Sequence, residues 1–225
     1  MIVSICLLLA WSAYSIMHSR KKAKQKALLF YSELMPYIEN YELSKSRTQF
    51  PILSGIYEGY RVKLVPEADN MVFQRVPRLY LRIYIYVPNN FLLRLRNLDY
   101  ETQSNYLFPP SSFEKSHREI SISNLEYRLS LGDGYYPLNL EASLAQLFPA
   151  GNNCAEMLFQ KSFIRGTILL SKGKQSSYVL TRATNFSNLI FRREFFQTYF
   201  QAMLELHVEV QNQLNVKILT NLTRS

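Results

Sequence analysis

Cysteine, glycine, proline, histidine and aspartate are all sparse in this 225-residue chain. Two cysteines, Cys6 and Cys154, cannot build a disulfide framework. Seven glycines and nine prolines exclude a collagen-like or low-complexity chain, and 48% hydrophobic residues exclude a disordered one. The histidines, His18, His117 and His207, stand far apart with no cysteine nearby, so no metal site is expected. The aspartates, Asp69, Asp99 and Asp133, fall in expected loops, and no carboxylate pair suggests acid–base chemistry. There is no Gly-x-Ser-x-Gly elbow. Gly132-Asp133-Gly134 is too short for a phosphate loop and runs into Tyr135-Tyr136-Pro137. These absences predict a chain that is not an enzyme, with no catalytic residue and no cofactor.

Positive charge is present but unevenly spread. The formal net charge is +9, and Arg20, Lys21, Lys22, Lys24 and Lys26 crowd one short stretch. Without them, 21 basic residues face 17 acidic ones, leaving +4. A local cluster of this kind points to a membrane flank rather than to nucleic acid.

Residues 1–17 read MIVSICLLLAWSAYSIM, without a charged side chain. As a helix this run would rise about 25 Å, near the lower limit for a bilayer span. Ile2, Val3, Ile5, Leu7, Leu8, Leu9 and Ile16 would face lipid, with Trp11 and Tyr14 toward one interface. A cleaved signal peptide would carry basic residues before its apolar run. A core helix fits poorly with the RKKAKQK that follows. The expectation is an uncleaved signal-anchor: a single-pass inner-membrane protein, N-terminus outside and domain in the cytoplasm. Residues 1–19 would be the anchor, 20–49 a basic helical stalk and linker, and 50–225 a cytoplasmic α+β domain.

Leu28, Tyr31, Leu34, Met35 and Ile38 keep the helical period over 20–43, until Pro36 kinks or ends it. Residues 52–65 read as a strand pair, its two glycines allowing a tight turn. Arg78–Val87 alternates strictly: Leu79, Leu81, Ile83, Ile85 and Val87 on one face, Tyr80, Arg82, Tyr84 and Tyr86 on the other. With the Pro88-Asn89-Asn90 turn and an alternating 91–96, the stretch 78–96 predicts an antiparallel hairpin. Strands are expected over 119–131, 157–170 and 178–182, and a short helix over 140–148. The longest helix is expected over 188–214, with Phe195, Tyr199, Met203, Leu206, Val210 and Leu214 along its apolar stripe. The fold class is therefore α+β: a transmembrane helix and helical stalk, then a mostly antiparallel sheet packed by a long C-terminal helix.

The segment Gly55-Ile56-Tyr57-Glu58-Gly59-Tyr60-Arg61-Val62 follows a Gly-x-Tyr-x-Gly-x-x-Val pattern. In this pattern and in its layout the chain resembles uncharacterised bacterial single-pass membrane-anchored α+β domain proteins. The acidic Phe-Asp pair of that group is missing; Glu126-Tyr127 occupies the region. The resemblance implies an anchored α+β domain and supplies no activity.

Tyr80, Arg82, Tyr84 and Tyr86, with Arg94 and Arg96 alongside, form the candidate partner or ligand face. Residues 61–96 carry seven Arg and Lys against Glu67 and Asp69. Aromatics and arginines on an open sheet stack bases, grip phosphates or anchor a protein. A tyrosine-rich sheet half-covered by helices is the plainer reading, since tyrosine favours strands. RNP-type signatures are absent, which argues against nucleic acid. The leading expectation is a membrane-anchored protein-interaction or assembly subunit. The alternative is an anionic-ligand module, for lipid headgroup or nucleic acid, using the Arg/Tyr face.

Overall fold

A computed structural model describes Trp11, Tyr14, Met17, Gln25, residues 28–69, 77–101, 117–122, 125–132, 154–172, Phe186 and 189–222. Its strands are β1 (Glu39–Ser44), β2 (Ile52–Tyr57), β3 (Tyr60–Asp69), β4 (Arg78–Tyr86), β5 (Leu93–Asn97), β6 (His117–Ile122), β7 (Leu125–Leu131), β8 (Cys154–Gln160) and β9 (Phe163–Lys172). Two α-helices lie wholly among the described residues, a single turn, α1 (Leu98–Glu101), and α2 (Arg193–Leu222). The nine described strands form one sheet in the order β1-β2-β3-β4-β9-β8-β5-β7-β6. Every pairing is antiparallel.

Alternation in the sequence sets the two faces. Val62 and Leu64 of β3, Leu79, Leu81, Ile83 and Ile85 of β4, Met157 and Phe159 of β8, and Ile164 and Ile168 of β9 fill the core face. Helix α2 covers it with Phe196, Phe200, Met203, Leu206 and Val210, all fully buried. Tyr57 meets Phe196 and Phe200 edge-on, both centroids at 4.9 Å.

The turn joining β2 to β3 explains the glycine pattern. Glu58 and Gly59 have φ of 48° and 79°, the two positive values a two-residue hairpin turn of the primed type demands. Gly55 serves a different need. Opposite it β1 bulges between Glu39 and Glu42, and a Cβ there would meet Ile38 Cγ2 and lie 2.9 Å from the Glu39 carbonyl oxygen.

Several expectations are corrected. Residues 28–43 are not a helical stalk. Helical backbone reaches Phe30, a 3₁₀ turn spans Met35–Tyr37 with Pro36 at its start, and β1 follows. Phe30, Tyr31 and Leu34 are fully buried, and Phe30 packs on Phe50 at 4.3 Å. Their apolar period marks core, not stalk.

The single-pass anchor and inner-membrane placement are overturned: among the described residues no helix is long and apolar enough to cross a membrane. Helix α2 has the length, 30 residues, but carries Arg193, Glu194, Glu205, Glu209 and Lys217. Trp11 and Tyr14 are exposed helical residues. The other expected anchor positions, Ile2, Val3, Ile5, Leu7, Leu8, Leu9 and Ile16, lie outside the described residues. So do Arg20, Lys21, Lys22, Lys24, Lys26, the helix expected over 140–148 and the strand expected over 178–182.

The hairpin over 78–96 does not form either. β4 pairs with β3 and β9, while β5 pairs with β8 and β7. Asn89 explains the divergence, because its backbone N–H donates to the Lys161 carbonyl at 2.9 Å. Its side-chain Nδ2 donates to the carbonyls of Gln160 at 2.6 Å and Phe163 at 3.2 Å. The turn residues thus lock onto the β8–β9 hairpin instead of closing their own. The stretches 119–131 and 157–170 each contain parts of two strands, β6 with β7 and β8 with β9.

Candidate functional site

The sheet face opposite α2 is where the charged strand positions collect. Cross-strand register aligns Val65, Arg82, Thr167, Glu156, Arg96, Arg128 and Glu119 on one rung running from β3 to β6. The next rung holds Lys63, Tyr84, Arg165, Leu158, Arg94 and Ser130. Alternation alone places them there; the strand order brings them together.

A buried ion network occupies the middle. The Glu156 carboxylate is fully buried. Arg94 Nε donates to its Oε1 at 2.6 Å, and Arg165 Nη2 donates to its Oε2 at 2.5 Å. Each oxygen therefore has its own guanidinium, the arrangement a buried carboxylate needs to offset its desolvation. Burial disfavours the charge on Arg165, but the Glu156 carboxylate, helped by Tyr84, holds its pKa above the ordinary value. Arg96 is also buried, directly across from Glu156. Farther out, Arg82 Nη2 lies 3.0 Å from Glu67 and Arg128 Nη2 lies 3.4 Å from Glu119.

The six expected face residues share this side but not one open platform. Tyr80 is fully buried in a small cluster with Ala155 and Leu169. Arg94 and Arg96 are buried on β5, separated from β4 by β9 and β8 rather than alongside it. Tyr84 and Tyr86 reach solvent.

Around those two tyrosines the face changes character. The Arg61 guanidinium sits over the Tyr86 ring, 5.3 Å from its centroid, and both residues are exposed. Phe163 packs against Tyr84 at 5.4 Å and Tyr86 at 6.5 Å. Lys63 pairs with Tyr84 across β3–β4. The outward positions here are Ser54 and Ile56, Arg61 and Lys63, Tyr84 and Tyr86, Phe163 and Arg165, and the edge strand β1 sets the exposed Glu42 and Glu39 opposite Ser54 and Ile56. Arg61, Lys63, Phe163, Arg165 and Glu156 were not among the expected site residues. The alternation of β3 and β9 is the signal that points to four of them.

Cys154 is buried, and burial first, with the Glu156 carboxylate, pushes its thiol up to about 12. His207 is buried, stacks on Phe91 at 6.0 Å, and its pKa is lowered by burial although a hydrogen bond with the Pro88 carbonyl opposes the shift. His117 is exposed on β6. Among the described residues no group of three or more His, Cys, Asp or Glu could hold a metal ion.

No family model, no curated protein and no solved structure matches the chain.

Proposed function

We propose that this chain is a protein-binding module rather than an enzyme, docking an acidic segment of its partner on the Arg61–Lys63–Tyr84–Tyr86–Phe163 surface. The observation that carries this reading is the exposed Arg61–Tyr86 stack, with Lys63, Tyr84 and Phe163 beside it. Tyrosine and arginine are the residue types that dominate binding energy at interfaces. The rings give stiff contact area, and Arg61 and Lys63 give charge that steers an acidic partner. The buried Arg94–Glu156–Arg165 network lies beside this surface on the same face and ties β9, which starts at Phe163, to β8 and β5.

The same stack supports the alternative, an anionic lipid headgroup or a single strand of nucleic acid, and one experiment separates them. A displayed library of random extended peptides is selected on the folded protein. Acidic, aromatic-containing peptides are expected to be enriched. Arg61→Glu with Lys63→Glu should weaken them at least tenfold, as should raised salt. An unlabelled oligonucleotide or phosphatidylserine vesicles should compete poorly. Failure to enrich peptides, or stronger binding of either competitor, overturns the protein reading.

A further inference from the structure

We infer that the segment docked on this surface is bipolar and crosses the strands, with a basic residue over β1, an acidic residue over β3 and an aromatic residue over β4 and β9. It rests on the docking surface proposed above and adds the order of the partner's side chains.

Glu39 and Glu42 are three positions apart, so a regular strand would point them to opposite faces. The bulge between them cancels that difference. Glu39 pairs with Ile56 and Glu42 with Ser54, and Ser54 and Ile56 are two positions apart on one face. Asn40 carries the bulge with φ of 49°, a left-handed value uncommon outside glycine. Both carboxylates therefore stand exposed on the face that holds Arg61 and Lys63. Glu58, at the turn between β2 and β3, does not join them. Its carboxylate bonds with Tyr57, whose ring lies against Phe196 and Phe200 on the α2 side.

The register sorts the face into bands. One rung runs Glu39, Ile56, Arg61, Tyr86, and the next runs Glu42, Ser54, Lys63, Tyr84. Acids thus line β1, cations line β3, and the rings of Tyr84, Tyr86 and Phe163 follow on β4 and β9, with β2 between acids and cations. A segment lying along the strands would meet one band. A segment crossing them meets all three, and opposite charges at two of them fix its direction and register.

Strand spacing sets the partner's own spacing. Two strand steps, from β1 to β3 and again from β3 to β9, measure about 10 Å each. A polyproline-II segment returns to the same side every three residues, about 9.3 Å. Aromatic-lined surfaces are a common seat for that conformation. The expected pattern is therefore basic-x-x-acidic-x-x-aromatic, in either chain direction.

The displayed peptide library is selected in parallel on the parent and on a Glu39→Lys, Glu42→Lys variant whose far-ultraviolet circular dichroism matches the parent's. The parent should enrich a basic residue three positions from the acidic one, on the side away from the aromatic. The variant should enrich an acidic residue at that position and keep the rest of the pattern. A synthetic peptide of the parent pattern should bind the variant about fivefold more weakly, and changing its basic residue to Glu should restore the affinity. Glu39→Gln with Glu42→Gln, the milder change, should lose the preference for a basic residue without gaining one for an acid. Acidic, aromatic peptides with no placed basic residue, or identical peptides from parent and variant, overturn this inference and leave the docking surface standing. Failure to enrich any acidic peptide overturns both. Sedimentation that shows the parent self-associating, and the Glu39→Lys, Glu42→Lys variant not, makes a second copy the occupant and also overturns it.

Discussion

Gly166 and Met203 meet where α2 crosses β9: a Cβ at position 166 would lie 2.9 Å from Met203 Sδ. That contact sets how closely the helix approaches the sheet. Gly166→Ala should therefore displace the flexible Met203 thioether and cost about 1 kcal/mol, the low end for overpacking. In a Met203→Ala background the same change should cost much less, because the obstructing sulfur is gone. Urea unfolding of the four proteins measures the coupling; strict additivity would remove Met203 from the account of Gly166.

The two glycines of the β2–β3 hairpin should behave differently. Gly55→Ala meets backbone at the β1 bulge, so it should cost about 3 kcal/mol, the upper end for overpacking. Gly59→Ala meets nothing within 4 Å and pays only for its φ of +79°, about 1–2 kcal/mol. Thermal or urea midpoints rank the pair; the reverse order contradicts the register given for β1.

Removing the shared carboxylate should be more damaging than any surface change. Glu156→Gln leaves Arg94 and Arg165 facing each other in a buried site, at a cost of about 3–5 kcal/mol. Lys172→Gln, an exposed change on β9, should stay within about 0.5 kcal/mol of the parent. Similar losses for the two would mean the network does not hold β5, β8 and β9 together.

Acid should weaken the fold through His207. Its folded pKa lies below the ordinary 6.5, so the unfolded chain binds the proton first. Stability should be at its full level above pH 6.5 and decline as pH falls from there, levelling off below the folded pKa. His207→Gln should flatten this decline between pH 6.5 and 5, above the range where ordinary carboxylates titrate. Unfolding free energies at half-unit intervals test it; an unchanged slope in the variant contradicts the assignment.

Cys154 should be inert while the protein is folded. With its thiol near 12 and buried, a Cys6→Ser variant should react with an aromatic disulfide reagent only after unfolding. Rapid reaction of the native protein would place Cys154 at the surface.

What the sequence reveals and what it hides divide along sequence distance. The β4 alternation, the glycine turn at Glu58–Gly59 and the apolar stripe of α2 rest on near neighbours, and each is readable from spacing. Strand order is not. Arg94 looks like an exposed residue of a local hairpin until Glu156, 62 residues later, arrives beside it. Likewise Leu28 to Ile38 shows a helical period that suits either a stalk or a core segment. Only contacts such as Phe30 with Phe50 and Phe191 decide. Tyr84 and Tyr86 were legible as outward-facing, but the cations beside them, Arg61 and Lys63, come from a strand whose pairing partner had to be known first.

The docking surface itself can be tested by mapping backbone amide shifts while an enriched acidic peptide is titrated into the folded protein. Perturbations should centre on Arg61, Lys63, Tyr84, Tyr86 and Phe163 and vanish in the Arg61→Glu, Lys63→Glu variant. Shifts confined to the exposed edge strand Glu39–Ser44 or to the outer side of α2 around Val208 would contradict the account.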